Sequence, residues 1–337
     1  MAYSKRIIVF AFVFFSLGLA VSCKKKNQES KEQPTYESVA DPIEFQDVRG
    51  KTVELNDSAI KIVSLLPSIT EYIYELDRGH LLVGRSTWCK NPDEALEIEM
   101  VGDLNDTDDE RLKALKPDVV LVSKMMEKDQ VEHLEAMGNT VVVFDHQNWE
   151  TLQRDLEILG KIIGAEGDVK TLISLLSLKR KIVRDEIHAL ENYTPLPTAI
   201  LYSLNPLHSA GPGSFVDELL SIAGGTNVAA DHTSLWPTLT LNDLVQKQPQ
   251  IILISSEPDK EEELKADIQS LAKEAVWAQI PAIRNNRVYL LDSQSLTVPG
   301  PRHVLALSQM AAALHPDLFE KPNQLKQVNM LQAPRRP

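Results

Sequence analysis

Apolar and polar positions along the chain fall into two alternating patterns. Short continuous apolar runs stand at KIVSLLP (61–67), DVVLVS (118–123), TVVVFD (140–145), TAILYS (198–203), QIILIS (250–255) and RVYLLD (287–292). Runs of that length bounded by turn residues predict strands buried on both faces, as in a parallel sheet covered by helices. A shorter strand is expected at 81–85. Before them, IEFQDVRGKTVEL (43–55) alternates apolar and polar residues about Arg49-Gly50, which reads as a hairpin. The segments between runs carry helical spacing: SITEYIYEL, 127–137 closed by Gly138, 149–163, 214–223 ahead of Gly224-Gly225, and 303–314. The longest helix is expected over 168–192. Its apolar positions are Val169, Leu172, Ile173, Leu176, Val183, Ile187 and Leu190, with Asp168 as N-cap.

The two halves repeat. At an offset of 132 residues, LKALKPDVVLVS (112–123) overlays LVQKQPQIILIS (244–255), and each is followed by a helix and a strand ending in Asp. This order of elements predicts a duplication. The expected fold is α/β: two Rossmann-like lobes with parallel sheets, joined by a long backbone α-helix, with a ligand cleft between the lobes. The lobes span 43–148 and 198–320, the helical linker spans 149–197, and a polar tail that reads as frayed follows over 321–337.

The amino terminus changes where this body is expected to sit. Lys5 and Arg6 precede IIVFAFVFFSLGLAVS and then Cys23. An apolar stretch of about 15 residues suits a signal peptide and is short for a spanning helix. Residues 1–22 resemble a bacterial lipoprotein signal, with Cys23 as the acylated residue, although Ala20 replaces the usual leucine. Residues 23–42 then read as a polar tether. The chain is expected to be lipid-anchored to a bacterial membrane, facing the periplasm or exterior.

Composition narrows the chemistry. The 337 residues are 43% hydrophobic and 25% charged, which excludes a polytopic membrane protein and a mostly disordered chain. The net charge of −13 argues against nucleic-acid binding. Loss of Lys5 and Arg6 on signal cleavage leaves 33 basic against 48 acidic residues, or −15. Only Cys23 and Cys89 are cysteines, which excludes four-thiolate zinc and cysteine-ligated iron–sulfur sites. If Cys23 is lipidated, Cys89 is a lone thiol, best read as a small buried hydrophobe. No nucleophile elbow, Walker motif or HExxH occurs. The acidic run 103–110 does not have EF-hand spacing and reads as a solvated face.

Open α/β sheets bind ligands beyond the carboxyl ends of their strands. The loops there supply Lys124, Met125, Met126, His146 and Trp149 from the first lobe, and Asn205, His208, Phe215, Trp236 and Arg302 from the second. Trp88 and Trp236 stand in polar loops outside any periodic run. Each is either a ligand contact or a packing anchor for its loop.

Several segments together resemble one group. They are VSLLPSITEYIYEL, VGRSTWCKNPDEA, ERLKALKPDVVLV, FVDELLSIAGGTNVA, WPTLTLNDLVQKQPQIILIS, WAQIPAIRNNRVYLLDS and VPGPR. The group is the cobalamin- and iron-complex-binding proteins of ABC importers, and the likeness covers roughly 43–316. It implies a rigid backbone helix, small hinge motion, a monomer, no catalysis, no cofactor beyond the transported ligand, and delivery of a metal chelate to a permease with its ATPase. It also implies permease docking through a glutamate on each lobe. Glu110 stands at the first position. Asn242 stands at the second, with Asp243 beside it as the possible substitute. The corrinoid branch is similar in having an aromatic at Trp88 and a tryptophan-proline at Trp236-Pro237. The expected ligand contacts are Trp88, Trp236, Met125, His208, Phe215 and Arg302. A corrinoid is the expected ligand. A ferric siderophore, drawing on Arg85, Lys124 and Arg302, and haem, with His208 as iron ligand, are the alternatives. A sensory lipoprotein or a chelatase-like enzyme are the readings from other classes.

Overall fold

The first residues with a defined path form the expected hairpin. β1 (Ile43–Gln46) pairs antiparallel with β2 (Thr52–Leu55), Phe45 opposite Val53, and Gly50 supplies the positive φ at the turn. The computed structural model describes residues 42–322 and 325–330, all within one unit spanning Ala40–Pro337. The expected signal peptide, Cys23 and the expected tether up to residue 41 lie outside the described residues, as do 323–324 and 331–337. Among the described residues, no helix is long and apolar enough to cross a membrane.

The first lobe runs β3 (Ile62–Ser64), α1 (Pro67–Glu75), β4 (Leu82–Arg85), α2 (Asp109–Leu115), β5 (Val119–Ser123), α3 (Lys128–Ala136) and β6 (Val141–Phe144). Its four strands are parallel in the order β4-β3-β5-β6. α4 (Trp149–Ile162) and α5 (Glu166–His188) follow. The second lobe adds β7 (Leu196–Leu201), β8 (Leu207–His208), α6 (Phe215–Ile222), β9 (Gly225–Asn227), β10 (Thr238–Leu239), α7 (Leu241–Lys247), β11 (Ile251–Ser256), α8 (Glu261–Leu271), α9 (Pro281–Arg284), β12 (Val288–Asp292), α10 (Ser293–Thr297), α11 (His303–Leu314) and β13 (Lys326–Gln327). Its main sheet is ordered β13-β12-β11-β7-β9, parallel except for β13, while β8 and β10 form a separate antiparallel ribbon.

The continuous apolar strands have the cause the sequence suggested. On β5, Val119 and Leu121 enter one core while Val120 and Val122 enter another on the opposite face. On β11, Ile251 and Leu253 join that same first core, and Ile252 and Ile254 enter a third. One apolar core therefore runs from the first lobe through α4, α5, α6 and α11 into the second. Each sheet also carries a private core on its other face.

The duplication holds to the level of caps. α2 and α7 both have seven residues, 132 apart at each end. Asp108 and Thr240 cap them by accepting from the backbone N–H groups of Arg111 and Asp243. Lys116 and Gln248 close them in the left-handed region at φ 50° and 49°.

Two expectations need correction. α5 spans 23 residues, about 35 Å, but it starts at Glu166 and ends at His188, and Asp168 does not cap it. Gly164, at φ 62°, turns the chain straight out of α4, so Ala165 is the N-cap and Asp168 lies in the first turn, paired with Arg78 at 3.5 Å. The tail from Lys321 is not simply polar and frayed. Leu325 and Val328 are 2% and 1% exposed, and β13 between them pairs with β12.

Candidate ligand-binding cleft

The carboxyl ends of β5 and β6 face the amino end of α6, the loop before β10 and the end of α10. Between them lies a cavity of about 380 Å³. The first lobe contributes Ser123, Lys124 and Met125 after β5, and Asp145, His146 and Gln147 after β6. The second contributes Ser214, Phe215 and Val216, the segment Ser234–Trp236, and Leu296, Thr297 and Pro299.

Trp236 is placed by backbone contacts rather than by a regular element. Gly211 N–H donates to Leu235 O at 2.9 Å, and Ser209 N–H donates to Pro237 O at 2.9 Å. A Cβ on Gly211 would lie 2.0 Å from Ser234 O, so only glycine allows the two loops to close on each other. The Trp236 ring stands edge-on to Tyr202 at 5.4 Å and remains 46% exposed. Tyr202 Oη is buried without a partner, and burial pushes its phenol up. Met125 is 66% exposed, so the two large cleft side chains both present open apolar surface.

The cavity's polar groups are largely neutralised. Lys124 Nζ meets Asp145 Oδ1 and donates to Gln147 Oε1, both at 2.7 Å. His146 is held neutral, its pKa pulled to about 4 chiefly by burial, with Lys124 adding and Asp145 opposing. Beside Phe215 lies an aromatic and ionic joint between the lobes. Arg180 of α5 stacks over Trp149 at 4.7 Å and pairs with Glu218, whose Oε2 accepts from Trp149 N–H at 2.8 Å. His303 packs against Trp149 and Phe215, and burial pulls its pKa to about 3.

The structure brings together Met125, Phe215 and Trp236 of the expected contacts, with Lys124 and His146. Trp88, Arg302 and His208 do not line the cavity. Trp88 follows edge strand β4, two strands removed from β5, and is 62% exposed with Lys90 Nζ 5.7 Å from its ring centre. Its loop does reach the other lobe: Asn91 Nδ2 donates to Gln294 Oε1 at 3.1 Å. Arg302 is bound bidentately to buried Glu71 of α1, at 2.6 and 3.1 Å, and ties the lobes together. His208 lies on the β8–β10 ribbon, exposed, with Nδ1 3.1 Å from Thr238 Oγ1. Met126 is core rather than cleft. Sequence reasoning missed Tyr202, Leu296 and Thr297. The first is the last apolar position of a strand run, and the others sit in a helix of five residues with no periodic signal.

Glu110 and Asn242 occupy the same second position of α2 and α7, and both are exposed. Asp243 is engaged locally: its Oδ2 accepts from Thr240 N–H at 2.7 Å and Oγ1 at 2.8 Å. Cys89 is buried beside Thr70 and Ser86, and burial raises its thiol. Among the described residues, no group of three His, Cys, Asp or Glu side chains is arranged to hold a metal ion.

A family model described as periplasmic binding protein matches residues 62–295. An uncharacterized ABC transporter substrate-binding lipoprotein of Bacillus subtilis, YvrC, is 27% identical over 322 residues, covering 94% of this chain and 99% of that one. The vitamin B12-binding protein of Pectobacterium atrosepticum is 26% identical over 264 residues, 75% and 88% of the two chains. Among solved structures, the periplasmic vitamin B12 binding protein BtuF of Vibrio cholerae is similar with a TM-score of 0.66 and 23% identity, over 77% of this chain and 97% of that one. A periplasmic heme binding protein from Pseudomonas aeruginosa gives 0.70 and 22%, over 82% and 100%. At these identities the structural likeness fixes the two-lobed fold.

Proposed function

The chain belongs to the periplasmic binding protein family, and from that premise we propose that it captures a metal chelate, foremost a corrinoid, in the inter-lobe cleft for an ABC importer. It is a binder with no reaction of its own. The signal-like start and the relative named as a lipoprotein support an anchor at Cys23. The observation that carries the ligand reading is the cavity's chemistry: open apolar faces from Met125 and Trp236, a largely buried Phe215 in the wall, and no unneutralised charge. Of the three cations that a siderophore would draw on, Arg302 is committed to Glu71, Arg85 lies outside the cavity, and Lys124 is paired with Asp145. A polyanion would have to break that pair, whereas a large ligand with flat apolar faces would not. Iron tetrapyrroles are the second reading, favoured by one observation: a neutral histidine, His146, lines the cavity.

The same reading takes permease docking through the exposed Glu110 on α2 and its counterpart Asn242 on α7. Asp243 is less suited, because its carboxylate is already engaged by Thr240.

Residues 30–337 titrated calorimetrically with cobinamide, cobalamin, hemin, a ferric siderophore and molybdate test the reading. The expected result is saturable one-to-one binding of a corrinoid and no heat with molybdate. Absence of saturable binding to any chelate overturns it.

A further inference from the structure

α5 buries Val169, Leu176, Arg180, Val183 and Ile187, yet its opposite face is also apolar. Leu175, Leu178 and Ile182 are each just over half exposed. Their spacing of three and four residues sets them in one row along about 10 Å of the helix. α11 widens the row: a groove of about 430 Å³ beside Ile182 is lined by half-buried Val304 and Leu305 and by Ser308. The row's surroundings are basic in an acidic chain. Residues 170–184 carry Lys170, Lys179, Arg180, Lys181 and Arg184 and no acidic residue, and 304–314 carry no Asp, Glu, Lys or Arg, against a net charge of −13 for the whole chain. Arg180 turns inward to Glu218, and the other four cations are exposed. Lys181 and Arg184 meet Asp185 at the end of the row, whereas Lys170 and Lys179 form no ion pair among the described residues. An apolar row edged by long cations fits a helix lying in the headgroup layer of an anionic bilayer, with the lysine stems along the apolar surface. A second copy fits less well, because a two-fold pair would crowd the same four cations into one interface.

We propose that the outer face of α5, with the adjoining edge of α11, rests on the anionic lipid headgroups of a membrane. The described chain begins at Pro42, on the hairpin whose β1 packs against α4, and α4 packs along α5. Cys23, the expected anchor, stands 19 residues earlier, within about 65 Å of extended chain. The row also points away from the cleft. Arg180, on the inner face of α5, stacks over Trp149 beside Phe215. A chain seated on this row therefore keeps its cleft uncovered for ligand, whichever ligand that is.

The test sediments residues 30–337, which lack Cys23 and so any acyl chain, with phosphatidylglycerol vesicles and with phosphatidylcholine vesicles, at low and at high salt. The expected result is partition onto phosphatidylglycerol at low salt, weaker by about 10-fold or more on phosphatidylcholine and reduced by salt. Leu178→Gln with Ile182→Gln should lower the partition about 10-fold through lost apolar contact. Lys170→Gln with Lys179→Gln should lower it about 10–30-fold through lost charge. All four positions are exposed, and unchanged urea midpoints show that both variants fold. No partition, equal partition onto the two lipids, or partition that either variant keeps overturns the proposal. So does a dimer in lipid-free sedimentation velocity that Leu178→Gln with Ile182→Gln disperses, since the row would then be an interface between copies. Each of these outcomes leaves the cleft reading standing.

Discussion

Asp155 on α4 is fully buried, with Oδ1 3.3 Å from Arg154 and Oδ2 without a partner. Burial raises its carboxyl from 3.8 to about 7, with Arg154 opposing. Between those values the folded chain keeps a proton that the unfolded chain releases. Its contribution to stability is therefore full below about pH 4 and is lost as pH rises through about 7. His146 and His303 act in the other direction: neutral in the fold, they cost stability as pH falls below about 6.5. Asp155→Asn isolates the first effect. Relative to wild type, its stability should rise by about 1.4 kcal/mol per pH unit from roughly pH 4 to 7 and then level off. Urea unfolding across that range measures it, and a pH-independent difference would refute the assignment. This carboxyl was not legible in the sequence, because an acidic residue on an amphipathic helix reads as solvated. Lys124, Met125, His146, Phe215 and Trp236 were legible, because each directly follows a strand run or opens a loop or helix at the strand ends.

The repeated α2 and α7 units carry the same local strain. Lys116 and Gln248 adopt a left-handed backbone that L side chains disfavour by roughly 1–2 kcal/mol. Gln248 recovers part of that through its side chain, which donates to Val245 O and Gln279 O, whereas among the described residues no hydrogen bond is formed by the Lys116 side chain. Lys116→Gly should therefore stabilise the chain by about 0.5–1 kcal/mol after the glycine entropy cost. Gln248→Gly should gain less, as read from urea midpoints. Equal gains would mean that the Gln248 contacts contribute nothing. Elements with sustained apolar runs were predictable to within a residue or two, as for β5, β6, β12 and α11. β8, β9, β10 and β13 were not, because two or three residues carry no period. They exist through pairing with a neighbour, as Leu239 does with Leu207.

Across the whole molecule, the lobes are joined by more than α5. They share one apolar core, Arg302–Glu71 and Asn91–Gln294 cross between them, and Glu218 of the second lobe holds Trp149 and Arg180 of the helical linker. A Cβ on Gly300 would lie 2.5 Å from Glu71 Oε2, so the ion pair depends on that close approach. These contacts hold the two walls of the cleft against each other, which lowers the ordering cost of binding. The duplication and the helical joint were visible in the sequence. The cross-lobe pairs were not, because Glu71 and Arg302 are 231 positions apart and each sits in an unremarkable local pattern.

On the proposed reading, a chelate in this cleft has Trp236 as its principal aromatic contact, whereas Trp88 does not line the cavity. The measurement that bears on this most directly is the calorimetric affinity of one corrinoid for the wild-type chain and for Trp236→Ala, with Trp88→Ala beside them. Trp236→Ala should lose about 1–3 kcal/mol of binding, the range of a buried aromatic anchor, and Trp88→Ala should lose less. Undiminished affinity in Trp236→Ala would contradict a ligand seated in the inter-lobe cavity.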